Sequence, residues 1–238
     1  METPKLYPVP PKQMTKLSSI SELLEGVRPL CKGTQARSPF SDTMDFLTRA
    51  VWTVDEARGE VRQFPAELEY IRYIVEERVK HPLFAIEKSR RMLVTWTFCA
   101  VYLYDVLTER NHADFIACRK LEASCELLGR MVAIYDHIPE SVWGNKPGLV
   151  RHAGYSGKGY RRLDCPENNS FVEAVAEGKD QLRQYTASNI LLDEFGFWQK
   201  AEESWGALRP TVEGGGHVDM VSTPELGAFM YRLLYSPS

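Results

Sequence analysis

The chain has 238 residues, and its 44% hydrophobic content is enough to form a buried core in one large α/β domain or two small ones. Its 29 lysines and arginines nearly balance its 32 aspartates and glutamates, and the net charge of −3 excludes a uniformly basic nucleic-acid-binding surface. The five cysteines are odd in number and scattered, which argues against a disulfide framework and a zinc site and favours a reducing compartment.

Two further features narrow the class of protein. The N-terminus lacks the apolar stretch of a signal peptide, and no apolar run approaches the roughly 20 residues needed to cross a bilayer. We therefore expect a protein that is not secreted and has no membrane partner. The five histidines share no ligand spacing, which argues against a bound transition metal.

The predicted elements begin with a proline-rich arm at residues 1–12 and two short helical patterns, SISELLEG and MDFLTRAVWTV. We assign residues 1–60 to an N-terminal arm with peripheral helices and residues 61–238 to the main domain. A first amphipathic helix is predicted over residues 66–80. Its expected buried face is formed by Leu68, Ile71, Val75 and Val79.

From residue 83 onward, strand and helix patterns alternate. The predicted elements are a buried strand at 83–89, a buried helix at 93–109, a strand at 113–120, a helix at 121–138, strands at 170–178 and 188–194, a helix at 199–210 and a strand at 217–225. Residues 144–169 contain five glycines and are predicted to form a loop or loose hairpin outside the main sheet. The alternation predicts an α/β fold with a mainly parallel sheet and helices on both faces.

The stretch AIEKSRRMLVTW, residues 85–96, lies between a predicted strand and a predicted helix, where a phosphate-binding loop is expected. In such a loop, backbone N–H groups and a helix N-terminus surround the phosphates, a lysine neutralises their charge and a Ser or Thr hydroxyl binds Mg²⁺. Thr95 fits the hydroxyl, but Leu93 and Val94 occupy the Gly-Lys positions, so the standard Walker A pattern fails. We expect Leu93 to avoid positive φ. The residues alone leave open a solvated basic strand end with Thr95 as a helix cap.

The stretch ILLDE, residues 190–194, is an apolar strand that ends in paired acids, the arrangement called Walker B. Asp193 would hold Mg²⁺ through its water shell, and Glu194 would orient and deprotonate the attacking water. The alternative is a strand end whose acids cap the next helix. The loop and the acids, in this order and within β-α alternation, together favour a nucleotide hydrolase.

The segment KSRRMLVT resembles the deviant loop of large terminase subunits, the DNA-packaging motors of tailed phages, some of which carry the lysine at the first of the eight loop positions. The resemblance implies a P-loop NTPase fold of the ASCE (RecA-like) type, with ATP and Mg²⁺ as cofactors. It also implies that Lys88 is the catalytic ammonium and that Arg90 or Arg91 adds a second cation. The implied nucleotide-binding residues are Lys88, Ser89, Arg90, Arg91, Met92, Leu93, Val94 and Thr95, and the implied metal ligands are Thr95 and Asp193.

A segment near the C-terminus, STPELGAFMYRLLY, is similar to the coupling segment of terminases. By that resemblance Ser222 and Thr223 would sense whether the γ-phosphate is present. Two positions depart from the family's pattern, because Gly227 falls one place late and Met230 replaces the common Phe.

Residues for the γ-phosphate and the base also follow from the resemblance. DQLRQYTASN is similar to the stretch before the acidic strand, so Arg183 would meet the charge that develops on the γ-phosphate, with Arg119 and Arg130 as alternatives. Gln63 is the nearest candidate for an adenine-reading glutamine. Tyr70 or Tyr73 stacking on the base is the alternative.

The glycine-rich stretch RHAGYSGKGYRR, residues 151–162, has cations suited to contact the DNA backbone without reading bases. The alternative is a solvated, charge-rich loop. The cations concerned are Arg151, Lys158, Arg161 and Arg162.

The implied activity is ATP hydrolysis that drives double-stranded viral DNA into a procapsid. The resemblance also implies the portal protein and the small terminase subunit as partners, a homo-oligomeric ring, and a location in the host cytoplasm at the portal vertex. Terminases carry a C-terminal nuclease domain, and because this chain stops at Ser238 we expect no such domain and no DNA cleavage. Two alternatives stay open: a helicase-like DNA-dependent ATPase, and a non-hydrolysing nucleotide- or DNA-binding module that lost turnover when Val94 replaced the loop lysine.

Overall fold

The computed structural model describes residues 38–55, 58–154, 157–178 and 187–235, with the backbone only at residue 55 and residues 209–213. The predicted proline-rich arm, the SISELLEG helix and Arg183 lie outside the described residues. The helices are α1 Thr43–Ala50, α2 Glu69–Lys80, α3 Val94–Thr108, α4 Leu121–His137, α5 Glu140–Trp143, α6 Ala201–Glu213 and α7 Phe229–Tyr235. The strands are β1 Trp52–Asp55, β2 Glu60–Gln63, β3 Leu83–Glu87, β4 Ala113–Cys118, β5 Val150–Ala153, β6 Tyr160–Cys165, β7 Ser170–Ala176, β8 Asn189–Asp193 and β9 His217–Ser222.

Within the described residues, seven strands form one sheet in the order β3-β9-β8-β4-β7-β6-β5. The first five of these strands are parallel to one another. β6 pairs antiparallel with β7, and β5 pairs antiparallel with β6. A separate antiparallel hairpin is formed by β1 and β2. The predicted α/β fold with a mainly parallel sheet is confirmed.

Both faces of the sheet are covered, as alternate residues of β4 demonstrate. Ile116 belongs to one buried cluster, which includes α3 and α4, whereas Phe115 and Ala117 belong to a second cluster, which includes Leu208 of α6. Successive side chains of a strand point to opposite faces, so a fully buried strand needs apolar residues at every position. Ten of the 15 residues of α3 are buried, as expected of a helix whose surface is apolar nearly all round.

The region predicted to be a loop outside the sheet is corrected by the structure. Residues 144–169 contain β5 and β6, which extend the main sheet beside β7. The sequence YRRLDC alternates, with Leu163 and Cys165 fully buried, but the surrounding glycines hide this period. Position 159 requires a glycine, because its φ is +60° and an added Cβ would lie 2.1 Å from the Cys125 carbonyl oxygen. The glycine therefore lets the hairpin turn pack directly on α4.

Three smaller predictions are also corrected. Val79 of α2 is 71% exposed, and Leu68, directly before the helix, is 37% exposed. The buried face of α2 is formed by Ile71, Ile74, Val75 and Arg78. Strand β3 is half-buried rather than buried, because it lies at the edge of the sheet. The second helical pattern ends at Ala50, and the residues after it form β1.

The segment before residue 61 contributes to the core. Phe46 and Leu47 of α1 are fully buried in the same cluster as α3, and Asp42 caps α1 by accepting a hydrogen bond from the Asp45 N–H. The division of the chain at residue 60 stays a prediction. None of the helices among the described residues combines the length and the apolar character that crossing a bilayer requires.

Candidate active site

The candidate site lies where three neighbouring strands end. β3, β9 and β8 are adjacent and parallel, and their registers place Glu87 beside Ser222 and Val221 beside Asp193. The Lys88 N–H donates to the Ser222 carbonyl at 2.9 Å, which ties the start of the loop to the end of β9. The carboxyl edge of a parallel sheet is where ligands bind in open α/β folds. The loop, the acids, Ser222 and Thr223 therefore meet at one crevice, although they are far apart in sequence.

The loop achieves its turn without glycine. Arg91 has φ +66° and Leu93 has φ +56°, both in the left-handed region. The expectation that Leu93 avoids positive φ is wrong. The backbone is held there by its surroundings, because the Leu93 carbonyl accepts bonds from Thr97 N–H (2.8 Å) and Thr97 hydroxyl (3.1 Å). The Tyr70 hydroxyl also donates to the Met92 carbonyl at 3.0 Å. Strain of about 1–2 kcal/mol per residue in this region persists only where packing and hydrogen bonds enforce it.

Lys88 reaches across the crevice from the end of β3. Its Nζ donates to Glu194 Oε1 at 2.9 Å, and its side chain is only 9% exposed. Val94, which stands where the usual pattern has its lysine, is 2% exposed and packs in the core. The ammonium therefore comes from the opposite end of the loop and still meets the acidic pair.

Thr95 and Asp193 form a second contact across the same crevice. The Thr95 hydroxyl donates to Asp193 Oδ1 at 3.0 Å, and Asp193 is 9% exposed. Burial raises the pKa of the Asp193 carboxyl, and the Thr95 bond and the charges of Lys88 and Arg130 offset only part of this effect. A hydroxyl and a carboxylate with oxygens this close are the kind of ligands that suit Mg²⁺.

Glu194 accepts bonds at both carboxylate oxygens. Lys88 occupies Oε1, and Oε2 accepts from the Thr223 N–H at 3.2 Å and the Thr223 hydroxyl at 3.1 Å. Burial alone would raise the pKa of Glu194, but the bonds from Lys88 and Thr223 outweigh it and hold the pKa below its ordinary value. The Ser222 hydroxyl accepts from the Gly196 N–H at 3.0 Å and donates to the Thr223 carbonyl. Ser222 and Thr223 therefore both contact the segment that carries the acids.

A cleft of about 830 Å³ lies between the loop and the β1–β2 hairpin, and Lys88 forms part of its wall. Of the residues predicted to bind nucleotide, those that line it are Lys88, Arg91, Met92, Leu93, Val94, Thr95 and Gln63. Ser89 and Arg90 are exposed and do not line it. The amide of Gln63 donates to the Thr48 carbonyl at 2.9 Å, so this side chain is held at the cleft wall.

The two tyrosines considered for base stacking lie elsewhere. The Tyr70 hydroxyl bonds to the loop, Tyr73 is 63% exposed, and neither lines the cleft. Among the arginines, Arg130 of α4 lines the cleft with its guanidinium 5.5 Å from the centre of the Trp96 ring, whereas Arg119 is exposed outside it.

Sequence reasoning missed some of the cleft wall. Thr53 and Val54 lie in β1, inside the stretch MDFLTRAVWTV that predicts a helix, and Arg62 lies in β2, where no element is predicted. Trp96 also lines the cleft, and its place directly after Thr95 was the available signal.

The basic stretch at residues 151–162 is largely neutralised by ion pairs. Arg151 pairs with Asp136, Arg161 pairs with Glu173 at 3.1 Å, and Arg162 pairs with both Asp164 and Glu173. Lys158 is exposed. These pairs weaken the argument for DNA contact at this stretch, because paired cations release fewer counterions on binding a phosphate backbone.

No protein-family model and no curated protein sequence matches the chain. Among solved structures, the large terminase of bacteriophage HK97 is similar, with a TM-score of 0.54 and 16% identity over 76% of this chain. The chain therefore shares the fold of the matched part of that protein. The ATPase domain of the Thermus phage P74-26 large terminase is also similar, with a TM-score of 0.45 and 16% identity, covering 63% of this chain and 62% of that one. The chain spans 36% of the length of the HK97 protein that it matches.

Proposed function

We propose that the chain is the ATPase domain of a large terminase and hydrolyses ATP with Mg²⁺ to drive double-stranded DNA into a procapsid. The observation that carries the proposal is the pair of contacts across one crevice, Lys88 to Glu194 at 2.9 Å and Thr95 to Asp193 at 3.0 Å. A cation, a hydroxyl and two acids that converge beside a helix N-terminus are the parts that phosphoryl transfer requires. Similarity to the HK97 large terminase supports the packaging role.

The triphosphate would lie along residues 88–95, at the N-terminus of α3. Backbone N–H groups and the positive end of the helix favour anions there. Lys88 would neutralise the terminal phosphates from the end of β3, and the Arg91 side chain at the cleft wall would add a second positive charge. Gln63, at the far wall, would contact the base.

Phosphate binding would release the general base. In the structure Lys88 holds Glu194 Oε1, and a phosphate group that draws Lys88 toward itself frees that oxygen. Glu194 can then accept a proton from the attacking water, which would be oriented by the same carboxylate. Loss of the Lys88 bond removes one of the contacts that lower the pKa of Glu194, so the freed carboxylate becomes a stronger base.

Thr95 and Asp193 would hold Mg²⁺, which when bound neutralises charge on the phosphates. Asp193 is nearly buried and its pKa is raised, so a cation beside it relieves the cost of the buried charge. The Thr95 hydroxyl would supply a second oxygen ligand to the same ion.

The nucleotide state would be transmitted through Thr223. This residue donates hydrogen bonds to Glu194 Oε2 from both its N–H and its hydroxyl, and α7 follows it in the chain. A shift of Glu194 upon hydrolysis therefore moves the segment after β9. In the assembled ring, we propose that Arg183 of a neighbouring subunit meets the γ-phosphate, and that the portal protein and small terminase subunit are partners at the portal vertex in the host cytoplasm.

A second candidate function is nucleotide binding without turnover, which Val94 at the usual lysine position favours. Phosphate release by the parent and by Glu194→Ala separates the two. We expect the parent to release phosphate from ATP and Mg²⁺, and Glu194→Ala to retain nucleotide binding but lose release. Glu122→Ala, an exposed glutamate of α4, is the matched control and should keep parental activity. No release by the parent at any protein concentration, together with measurable nucleotide binding, would support the binder instead.

A further inference from the structure

A second polar cluster lies at the other end of α3, away from the cleft. Asp105 lies in the last turn of α3, and His112 directly precedes β4. Asp114 is the second residue of β4, and Asn189 is the first residue of β8. One ligand atom from each of Asp105, His112 and Asp114 lies within 4.8 Å of the other two. The cluster is therefore at the amino edge of the sheet, opposite the edge that holds Lys88.

Two of these ligand-bearing side chains carry buried atoms without a hydrogen-bond partner among the described residues. These atoms are Asp114 Oδ2 and His112 Nδ1, and Asp114 is fully buried. His112 Nδ1 lies 3.6 Å from Asp114 Oδ1, which is too long for a hydrogen bond. A buried polar atom left unpaired costs about 1–3 kcal/mol, so native structures rarely leave two side by side without a ligand or water.

The nearby charges do not balance. Three carboxylates, Asp105, Asp114 and Asp219, are 15%, 0% and 0% exposed at their side chains, and Arg78 is the guanidinium among them. Arg78 Nε donates to Asp219 Oδ2 at 2.8 Å, and the Tyr102 hydroxyl donates to the same oxygen at 2.9 Å. The Arg78 guanidinium is therefore committed to Asp219 and approaches Asp105 only to 3.7 Å. When Asp105 and Asp114 are both ionised and His112 is neutral, as a metal ligand must be, these two carboxylates lack a full cationic partner.

Asn189 holds the two uncompensated carboxylates in place. Its amide donates to Asp105 Oδ2 at 3.2 Å and to Asp114 Oδ1 at 3.0 Å. Each carboxylate thus has one oxygen fixed by the amide, and Asp114 Oδ2 remains available as a ligand. A side chain that orients ligating carboxylates in this way is a common support of metal sites.

We propose that Asp105, His112 and Asp114 bind one divalent transition-metal ion of the zinc class. An imidazole nitrogen with two carboxylates suits Zn²⁺ or a similar ion, whereas Mg²⁺ and Ca²⁺ prefer shells made of oxygen alone. A double positive charge matches the two uncompensated carboxylates, and water completes the coordination. The side chain of His112 is 27% exposed, which leaves the ion a route from solvent.

The bound ion would act on stability rather than on phosphoryl transfer. It would join the end of α3 to the start of β4 and so close the turn at residues 109–112. α3 begins at the nucleotide site, so the ion would anchor the far end of the helix that carries Thr95. The inference is independent of the proposed function, because the ligands lie at the opposite edge of the sheet.

The test begins with the chain freed of metal by a chelator and dialysis. Zn²⁺ is then titrated by calorimetry, and thermal unfolding is recorded with and without Zn²⁺ or Mg²⁺. We expect one Zn²⁺ per chain at this cluster and a melting temperature that Zn²⁺ raises more in the parent than in His112→Gln, whereas any effect of Mg²⁺ should be the same in both. His112→Gln and Asp114→Asn should weaken this binding by at least about tenfold, since loss of even a supporting residue costs that much.

His152→Gln is the matched control, because His152 is an exposed histidine paired with Asp164 at the β5–β6 hairpin. It should bind Zn²⁺ as the parent does. Circular dichroism checks that each variant is folded. If Asp114→Asn does not fold, Zn²⁺ binding by His112→Gln alone tests whether this cluster holds the ion. Ligand-field absorption of bound Co²⁺ gives a second readout that should disappear in His112→Gln. Absence of Zn²⁺ binding in the parent, or affinity and Co²⁺ spectra unchanged by His112→Gln, would overturn the proposal.

Discussion

At the scale of single residues, Lys88 illustrates how a charge can be delivered from an unusual position. The residue follows β3 directly, its N–H is fixed to the Ser222 carbonyl, and its side chain extends across the crevice to Glu194. Electrostatic stabilisation depends on where the ammonium lies, and the position of the residue in the loop matters only through that location. Val94 is then free to pack in the core.

Lys88→Ala should lower ATP turnover by about 100-fold or more, since removing one preorganised electrostatic group has effects of that size. Steady-state phosphate release measures this. Arg119→Ala is the control, because Arg119 is an exposed cation outside the cleft, and it should stay near the parental rate. Equal losses in the two variants would show that the position of the cation is irrelevant.

Asp193→Asn should abolish Mg²⁺-dependent turnover and yet raise the melting temperature of the nucleotide-free chain. Burial raises the pKa of Asp193 in the folded state, so at neutral pH its ionised form favours the unfolded chain, where it is solvated. The unfolded state ionises first as pH rises, so the advantage of Asn should grow from acidic to neutral pH. Thermal unfolding at several pH values checks this, and a lower melting temperature for Asp193→Asn at neutral pH would count against the argument.

At the scale of elements, the loop between β3 and α3 keeps its shape without glycine. Leu93 and Arg91 both adopt positive φ, and contacts from α2 and α3 hold them there. Of the two residues, Arg91 has an exposed side chain, so its backbone strain can be tested with little loss of packing.

Arg91→Gly should be more stable than Arg90→Gly by about 1 kcal/mol. Glycine relieves left-handed strain at residue 91, whereas at residue 90, where φ is not positive, it only adds freedom to the unfolded chain. Both substitutions remove one exposed arginine, so the charge change is matched. Denaturant unfolding without nucleotide gives the difference, and equal stabilities would argue against strain at residue 91.

Tyr70→Phe should weaken nucleotide binding more than Tyr73→Phe does. The Tyr70 hydroxyl donates to the Met92 carbonyl and so fixes the loop from α2, whereas Tyr73 lies on the same helix and is 63% exposed. A loop released at one end must lose more freedom when it binds phosphate. Calorimetric titration with an ATP analogue compares the variants. If both bind like the parent, the hydroxyl does not position the loop.

The sequence was sufficient where an element's own residues decide its conformation. α3 and α4 are long and strongly patterned, and β8 is a fully buried apolar run, so all three were predicted. The sequence was insufficient where tertiary contacts decide. The positive φ of Leu93 depends on contacts with α3 and its neighbours, and the pairing of β5 and β6 with the sheet depends on a hairpin turn that packs on α4. Local propensity does not report such contacts.

At the scale of the whole molecule, the strand order creates the candidate site. β9 lies between β3 and β8, so residues 88, 193–194 and 222–223 meet at one edge of the sheet. The spacing of the motifs predicted which residues meet, because parallel strands place their carboxyl ends together. The β1–β2 hairpin, which completes the cleft, could not be predicted because its short strands carry only a weak pattern.

The most direct test of the account is an experimental structure of the chain with Mg²⁺ and a non-hydrolysable ATP analogue. We expect the terminal phosphate within hydrogen-bonding distance of Lys88 Nζ, Mg²⁺ beside the Thr95 hydroxyl and Asp193, and the Lys88–Glu194 contact broken. A nucleotide bound away from residues 88–95, or a Lys88–Glu194 contact that stays intact beside the bound phosphates, would contradict the central claim that this crevice is the site of ATP hydrolysis.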